Sequence, residues 1–343
     1  MRIALIAPLS FPIPPTGYGG TERVVDGLAR GLESLGHSVT LYASGDSRAS
    51  RLRSLFPRSL GTAGLDRQNL EVCERRHVEF ALAEAHHFDI LHDHTKLAGI
   101  ECLSSSPVPV LTTVHNDATP ERREAYRGHS AHPLVALSQS HAQRLMGMNI
   151  CAVVPNGVDP WGLPFSSGNG DYFAFLGRLD AAKGADRAAR LAAEFDWPLL
   201  MAGPTHQNPE FYRTEVLPWL NGKSRRYIGE LGGTRKWSFL AGARALLFPI
   251  CWPEPFGLVM IEAMAVGTPV LATDWGAVRE IVVSGQVGEV VGRDAANEDF
   301  ARAAQRMSAI SRAECRAHAL RHYSVEAMTR KYVEVYQRLV CAK

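Results

Sequence analysis

The chain has 343 residues, of which 46% are hydrophobic and 21% are charged, a composition that fits a globular protein and excludes a fibrous or disordered one. This length suits two domains with a cleft between them. The formal net charge is +2, and 31 of the 37 basic residues are Arg, scattered among acids without a long basic run, so no nucleic-acid partner is expected. Apolar runs are too short for a signal peptide or a membrane span, which predicts a cytoplasmic protein and leaves peripheral membrane contact open.

The cysteines lie far apart in the sequence. Zinc sites and redox-active disulfides usually need two cysteines at close spacing, such as CxxC, and no such pair occurs here. We therefore expect free thiols in a reducing compartment. The cysteines are Cys73, Cys102, Cys151, Cys251, Cys315 and Cys341.

Short runs rich in β-formers alternate with longer amphipathic patterns, which predicts the α/β class with parallel sheets and crossover helices. In the first half, a helix at residues 22–35 places Val25, Leu28, Leu32 and Leu35 on one face. The strands of this half are predicted at residues 3–8, 38–43, 89–92, 108–114, 134–137 and 152–154.

A stretch rich in Gly, Pro and Ser at residues 156–171 is predicted to be a linker between a first domain at 1–155 and a second at 172–323. The helix at 324–343 carries an apolar stripe that can pack on either domain. The second strand series is predicted at residues 172–176, 198–201, 226–228, 245–248, 269–272 and 288–291. The stripe of the final helix consists of Met328, Tyr332, Val335, Tyr336 and Leu339.

A glycine-rich loop follows the first strand. Gly17, Gly19 and Gly20 precede the first helix, where the backbone can approach a phosphate closely. A GxGxxG dinucleotide motif would need Gly at the position of Glu22, and the loop at residues 8–16 is too long for a tight turn. A phosphate-facing loop is therefore favoured over a dinucleotide site, with a purely structural turn as the other alternative.

Two basic residues follow the first strand of the second domain. Arg178, after Gly177, offers a planar fork, and Lys183 offers a point charge, a combination that suits a diphosphate. An isolated pair of this kind is more often a solvated turn. The position of this pair favours a diphosphate-binding role, because ligands of open α/β sheets bind at the carboxyl ends of strands.

Histidines occur at two strand ends of the first domain. His92 and His94 would point the same way, as metal ligands do, but no third ligand is evident, so an ordinary strand end is favoured over a metal site. His115 also follows a strand and is the more interesting imidazole for function. The alternative interpretation of His115 is a structural histidine held by hydrogen bonds.

Glu254 and Glu262 bracket a segment in which a helix is predicted to begin, with Glu262 about two turns in. Unpaired amides at a helix start attract anions, and carboxylates accept hydrogen bonds from hydroxyl groups. An amphipathic helix with two surface carboxylates is the alternative. The strand at 269–272 leads to Asp274 at the same predicted rim, which favours a site for a charged, hydroxyl-rich ligand.

Together these motifs resemble the retaining glycosyltransferases of family 4, which have the GT-B fold. Glu254 and Glu262 match the EX7E signature of that family, and further matches lie at residues 19–24, 154–159, 177–184 and 267–270. The resemblance implies two doubly wound, Rossmann-like domains facing a cleft, with the acceptor on the first, the nucleotide sugar on the second, and the C-terminal helix crossing back to the first. Residues 275–280 depart from the Gly-Gly pair that relatives often carry, which leaves the donor sugar open.

The resemblance also implies roles for the candidate residues. Arg178 and Lys183 would neutralise the leaving diphosphate. Glu254 would position the sugar ring without attacking it, and His115 would contact sugar hydroxyls; these four form the catalytic set. Glu262 would bind the ribose and the backbone of Ile228 the base. The implied nucleotide-sugar site comprises Gly19, Gly20, Gly177, Arg178, Lys183, Ile228, Glu254, Phe256, Gly257, Leu258, Val259 and Glu262, with no metal and no cofactor.

The resulting prediction is a retaining, metal-independent transferase that moves a sugar from a UDP-sugar, or next a GDP-sugar, to an acceptor hydroxyl. The acceptor is left open among a cell-envelope glycan, a glycolipid and the oligosaccharide of a natural product such as an antibiotic, and the protein is expected to be a monomer or a homodimer. A nucleotide-sugar epimerase of the same fold, a non-catalytic nucleotide-sugar sensor and an NAD-dependent dehydrogenase are the alternatives.

Overall fold

The computed structural model describes residues 1–61, 67–95, 97–116, 119–168 and 170–342. The chain folds into two compact units. Unit 1 consists of residues 1–157 and 325–343, and unit 2 consists of residues 158–324. In each unit a parallel sheet alternates with helices along the chain, which confirms the predicted fold class of two Rossmann-like α/β domains.

Unit 1 is built on a seven-stranded parallel sheet. Its strands are β1 (Arg2–Ile6), β2 (Ser38–Tyr42), β3 (Leu52–Arg53), β4 (Ile90–Asp93), β5 (Val110–Thr113), β6 (Leu134–Ala136) and β7 (Ile150–Val153). Their order in the sheet is β3-β2-β1-β4-β5-β6-β7. The order reverses between β1 and β4, so the carboxyl ends of these two strands mark the point at which ligands of such sheets bind.

The helices of unit 1 are α1 (Gly20–Ser34), α2 (Arg67–Ala83), α3 (Leu97–Leu103), α4 (Pro120–Arg127), α5 (Gln139–Arg144) and the final helix, α13 (Val325–Cys341). On α1, Val25, Leu28 and Leu32 are buried, as predicted. The prediction for Leu35 was wrong, because α1 ends at Ser34 and the Leu35 side chain is 42% exposed at the C-cap.

Unit 2 has a six-stranded parallel sheet with the same kind of reversal, here between β8 and β11. Its strands are β8 (Phe173–Leu176), β9 (Leu199–Ala202), β10 (Arg225–Tyr227), β11 (Ala245–Phe248), β12 (Val270–Thr273) and β13 (Gly288–Val291), in the order β10-β9-β8-β11-β12-β13. Its helices are α6 (Ala185–Glu194), α7 (Pro209–Phe211), α8 (Gly233–Ala241), α9 (Leu258–Ala265), α10 (Val278–Ile281), α11 (Asn297–Arg306) and α12 (Arg312–Tyr323).

The chain enters unit 2 after Gly157 and leaves it after Ser324. Val158 already belongs to the packing of unit 2, because its amide donates a 2.8 Å hydrogen bond to the carbonyl oxygen of Tyr323 and it forms a parallel bridge with Ser324. Most of the stretch expected to be a linker, residues 156–171, is therefore part of this unit.

The final helix packs closely on α1 within unit 1. A Cβ atom at Gly27 would lie 2.9 Å from Val325 Cγ2, and one at Gly31 would lie 2.2 Å from Thr329 Oγ1, so glycine permits this approach. Of the predicted stripe on α13, Met328, Tyr332, Val335 and Tyr336 are buried, and Leu339 is half-buried. Within the described residues, no helix combines the length and apolar character needed to cross a bilayer.

Replacing Gly31 by alanine tests this packing. Gly31→Ala is expected to lower the free energy of unfolding by about 1–3 kcal/mol, because overpacking against Thr329 outweighs the ~1 kcal/mol of helix propensity gained. The double variant Gly31→Ala/Thr329→Ala should recover most of this loss, and the exposed neighbour Arg30→Ala serves as the control in urea unfolding. An unchanged midpoint for Gly31→Ala would contradict the close contact.

Candidate active site

Asp180 organises the loop after β8. Its Oδ2 lies 2.8 Å from Arg178 Nε, and its Oδ1 accepts a 2.9 Å hydrogen bond from the Lys183 amide. Gly184 follows with φ of 70°, and a Cβ there would lie 2.0 Å from the Pro249 carbonyl oxygen, so only glycine fits. Asp180 thus pairs with the Arg178 side chain and fixes the Lys183 backbone, a role that reasoning from the sequence missed.

Lys183 reaches the loop after β11. Its Nζ lies 2.5 Å from Glu254 Oε2, and the two side chains are only 16% and 12% exposed. Nζ also lies 5.3 Å from the ring centroid of Trp252, within range of a cation–π contact. A charge can be buried only when a partner offsets its lost hydration, so each of the two residues stabilises the other. Two residues predicted to be catalytic, 71 positions apart, thus form one ion pair.

The backbone of Glu254 is fixed by the loop after β12. The Ala277 amide donates a 3.0 Å hydrogen bond to the Glu254 carbonyl oxygen. Gly276, with φ of 58°, approaches so closely that a Cβ would lie 2.2 Å from the same oxygen. The rim expected to join Glu254 and Asp274 is therefore present, and Asp274 itself pairs with Arg279 at 2.6 Å.

The start of α9 presents backbone amides beside Glu254. Gly257 is the N-cap with φ of 87°, and a Cβ there would lie 2.7 Å from Met260 Cε. The first amides of a helix have no intrahelical acceptor, so this end attracts anions. The helix begins at Leu258, which corrects the expectation for Glu262: that residue lies just over one turn into the helix, because a turn takes about 3.6 residues.

Glu262 forms a second buried ion pair. Its Oε1 lies 2.5 Å from Nζ of Lys236 in α8, and the two residues are 8% and 4% exposed. Lys236 Nζ also lies 4.0 Å from the ring centroid of Trp237. This ion pair occupies Oε1 of Glu262. Sequence reasoning did not predict a role for Lys236. Its only sequence signal is that lysine is rare in this chain.

Two further predicted residues lie at carboxyl ends of strands in unit 2. The Ile228 amide, after β10, donates a 2.9 Å hydrogen bond to the Met201 carbonyl oxygen, so this amide is engaged within unit 2. The Gly177 amide, after β8, donates a 3.1 Å hydrogen bond to Ala202. Next to it, a Cβ at Gly203 would lie 1.9 Å from the Gly177 carbonyl oxygen, so two backbones pass in contact.

Gly19 and Gly20 lie in unit 1, at the start of α1. Gly19 is the N-cap with φ of 147°, and a Cβ there would lie 2.8 Å from Pro15 Cβ and 3.1 Å from Glu22 Oε2. The local conformation and these contacts require glycine. As in α9, the first amides of the helix have no intrahelical acceptor.

His115 also belongs to unit 1 and lies just beyond β5. Its half-buried ring has Nε2 at 2.9 Å from Nδ1 of His94. Burial, with a smaller contribution from His141, lowers the pKa of His115 to about 3, so the ring is neutral near pH 7. His141 accepts a hydrogen bond at Nδ1 from the Leu137 amide and donates one from Nε2 to the Asn116 carbonyl oxygen, which anchors the backbone beside His115.

His92 is part of a buried hydrogen-bond network. Its Nδ1 lies 2.7 Å from the Tyr336 hydroxyl and its Nε2 lies 2.8 Å from Thr113 Oγ1, which lies 2.8 Å from the Tyr332 hydroxyl. Both ring nitrogens are therefore engaged, and among the described residues no group of three or more His, Cys, Asp or Glu is placed to hold a metal. The geometry of His92 and His94 is that of a structural strand end.

Unit 2 thus gathers one set of predicted residues, and unit 1 carries the others. Lys183, Glu254, Glu262 and the amides of α9 lie together with Arg178 in loops and helix starts that follow strands of unit 2. Gly177 and Ile228 also belong to unit 2, and unit 1 holds Gly19, Gly20 and His115.

Two family models match consecutive parts of the chain. The model described as "Glycosyltransferase Family 4" matches residues 18–161, and the model described as "Glycosyl transferases group 1" matches residues 164–321. The chain belongs to the family 4 glycosyltransferases. It is a group 1 glycosyltransferase of the GT-B type, which confirms the resemblance seen in its motifs.

Curated relatives and solved structures are consistent with this family. This glycosyltransferase is 27% identical to a phosphatidyl-myo-inositol mannosyltransferase of Mycolicibacterium smegmatis, over 87% of this chain and 82% of the relative. It is 25% identical to a glycogen synthase of Mycobacterium tuberculosis, over 84% and 81% of the two chains. Among solved structures, AviGT4, a glycosyltransferase involved in avilamycin A biosynthesis, matches with a TM-score of 0.76 and 27% identity over 100% of this chain and 98% of its own.

The contact between Gly276 and Glu254 gives a testable consequence. Gly276→Ala should displace the Glu254 backbone, because a Cβ at 2.2 Å from a carbonyl oxygen cannot be accommodated. We expect a loss of about tenfold or more in kcat/KM with little change in the fold, since small displacements of positioned groups are costly. Gly292→Ala is the matched control, because a Cβ there meets nothing within 4 Å. Equal activity of the two variants would contradict the positioning role.

The buried histidines of unit 1 predict a loss of stability in acid. Burial lowers the pKa of each of six histidines from its ordinary value of 6.5: His77, His92, His94, His115, His132 and His141. As the pH falls below 6.5 the unfolded chain therefore binds protons that the folded chain does not, and stability falls. Asp93, whose pKa burial raises to about 7, works in the opposite direction and offsets about one proton.

Urea unfolding at pH 7, 6 and 5 checks this dependence. The free energy of unfolding should drop by at least about 2 kcal/mol between pH 7 and pH 5, since each shifted group contributes up to ~1.4 kcal/mol per pH unit. His132→Asn should reduce the slope of stability against pH by about one proton. A flat profile in the wild-type protein would contradict burial of these rings in the neutral form.

Proposed function

We propose that the protein is a retaining glycosyltransferase that uses a nucleotide-sugar donor, UDP-linked by preference, and a hydroxyl-bearing acceptor. The observation that carries this proposal is the Lys183–Glu254 ion pair beside the start of α9. This arrangement supplies a cation and backbone amides for phosphate oxygens, and a carboxylate for sugar hydroxyls, within one unit.

The leaving diphosphate would meet a balanced set of side-chain charges. Arg178 is paired with Asp180 and Lys183 with Glu254. Because these charges nearly cancel, the dipole and amides of α9 add the positive potential that favours an anion. In this proposal the Lys183 ammonium group, which donates to Glu254, also donates a hydrogen bond to the phosphate as negative charge develops on it.

Glu254 acts in this proposal as a positioning group. A nucleophilic carboxylate must be free to form a bond with the anomeric carbon, as in retaining glycosidases. Here one carboxylate oxygen of Glu254 is held by Lys183 at 2.5 Å. Attack of the acceptor hydroxyl on the face of the departing phosphate, with its proton passing to that phosphate, gives retention without a covalent enzyme intermediate. The C1–O bond to the phosphate breaks as the C1–O bond to the acceptor forms.

The donor and acceptor are proposed from the relatives. A structural neighbour, HepE from Anabaena, was crystallised with UDP-glucose, which supports UDP as the first donor to test. The name of the mannosyltransferase relative refers to a lipid, and AviGT4 is involved in the biosynthesis of a natural product. We therefore propose a glycolipid, the oligosaccharide of a natural product or a cell-envelope glycan as the acceptor. Positive charge from Arg, Lys and helix amides makes a metal ion unnecessary in this proposal, and a cytoplasmic location, with peripheral membrane contact left open, remains a prediction.

A panel of UDP-, GDP- and other nucleotide sugars with measurement of released nucleoside diphosphate tests the proposal. Arg178→Ala is expected to lower kcat/KM by roughly 10²- to 10³-fold, because it removes a group that stabilises charge in the transition state. The control is Arg302→Ala, which removes an exposed guanidinium on α11 of the same unit. Unaltered release by Arg178→Ala would contradict the mechanism.

The same assay separates the alternatives. Tight donor binding without release indicates a sensor, an isomerised sugar indicates an epimerase, and NAD binding without nucleotide-sugar binding indicates a dehydrogenase. The anomeric configuration of the product by NMR tests retention, and insensitivity to EDTA tests metal independence.

A further inference from the structure

His94 has no assigned function, yet it makes the one hydrogen bond that the structure records for the imidazole of His115. The His94 ring is 2% exposed, and its Nδ1 lies 2.9 Å from His115 Nε2. On its other side it lies against His92, with ring centroids 4.0 Å apart. His94 is therefore held in place, because both nitrogens of His92 are themselves hydrogen-bonded.

When both rings are neutral, one proton lies between them in the hydrogen bond. Burial lowers the pKa of both His94 and His115 well below the ordinary range, so both are neutral near pH 7. Either His94 Nδ1 donates to His115 Nε2, or His115 Nε2 donates to His94 Nδ1. In the first arrangement His94 Nε2 is unprotonated and His115 Nδ1 carries a proton. In the second, His94 Nε2 carries a proton and His115 Nδ1 is unprotonated.

The other nitrogen of His94 distinguishes the two arrangements. His94 Nε2 is buried and has no hydrogen-bond partner among the residues that the structure describes. If it carried the proton, a buried N–H donor would be left unsatisfied, which is rarer and more costly than an unsatisfied acceptor. The proton of His94 therefore belongs on Nδ1, which donates to His115 Nε2.

We infer that His94 is a positioning residue that fixes His115 as the Nδ1–H tautomer, so that His115 donates a hydrogen bond to its ligand and does not act as a base. With Nε2 of His115 used as an acceptor, the Nδ1–H group is the one left for a ligand. It fits a hydroxyl or phosphate oxygen at the carboxyl edge of the unit 1 sheet. The identification of that oxygen as a sugar hydroxyl rests on the proposed function.

The backbone anchor of His115 supports this role. His141 holds the Asn116 carbonyl oxygen at 3.2 Å, while Ser138 caps α5 by accepting a 3.0 Å hydrogen bond from the His141 amide. His115 is thus fixed at its side chain by His94 and at the adjacent peptide by His141. The backbone anchor does not involve His94, whereas the tautomer depends on it.

Long-range ¹H–¹⁵N NMR of histidine-labelled protein reads the tautomer directly. The signals of His115 are assigned by their loss in His115→Gln. We expect a protonated Nδ1 and an unprotonated Nε2 in the ligand-free wild-type protein, and the same pattern in His94→Asn, whose amide nitrogen replaces Nδ1 as a donor. A proton on His115 Nε2 in the wild-type protein would overturn the inference.

Kinetics of the same variants separate positioning from a merely structural role. With UDP-glucose, or the donor that the panel selects, His94→Leu should lower kcat/KM by roughly tenfold or more through loss of a fixed donor, while His94→Asn should stay within about threefold of the wild type. His132→Leu, which removes another buried histidine of unit 1, is the stability control. Equal losses in His94→Asn and His94→Leu at matched thermal stability would contradict the inference.

The two readouts keep the inference and the proposed function apart. If no nucleotide sugar is turned over, the proposed function fails, and the ligand-free NMR measurement still decides the tautomer. If transfer is observed and His115 carries its proton on Nε2, the inference alone fails. If His94→Leu does not fold, the wild-type and His94→Asn spectra give the answer.

Discussion

Unit 2 depends on the ion pair between Lys183 and Glu254. Lys183 lies in the loop after β8 and Glu254 in the loop after β11, the two strands at which the order of the sheet reverses. Neither charge is tolerable alone at such low exposure, so the pair ties the two loops together. Asp180 then holds the Lys183 side of the pair, and the close approach of Gly276 holds the Glu254 side. The proposed diphosphate and sugar site is built around this contact.

The same pairing limits what the carboxylates can do. Glu254 is bound to Lys183 and Glu262 to Lys236, so each carboxylate enters the site with one oxygen already neutralised. Such groups are suited to accepting hydrogen bonds from hydroxyls in a fixed geometry and are poorly suited to covalent attack. Family membership makes the protein a glycosyltransferase, and the ion pairs are consistent with the proposal that its acids orient the donor.

Unit 1 buries several polar side chains beside the edge of its sheet. Imidazoles can be buried at modest cost when they stay neutral and share hydrogen bonds. His92 joins β4 to α13 through Tyr336 and to β5 through Thr113, and His94 extends the polar cluster to His115. The final helix is therefore bound to unit 1 by glycine contacts on one side and by phenol hydroxyls on the other.

The sequence by itself determined the features that depend on local pattern. Strand positions were predicted to within two residues at each end, apart from the two-residue β3, because buried parallel strands read as short apolar runs. The placement of Arg178, Lys183 and Glu254 after strands also followed from local order along the chain. Only the tertiary structure decided which charges pair, since Lys183 and Glu254 are 71 positions apart and Lys236 carries no motif. It also decided the state of His115, because a tautomer is set by the hydrogen-bonding partner on a neighbouring strand, and no local pattern encodes that contact.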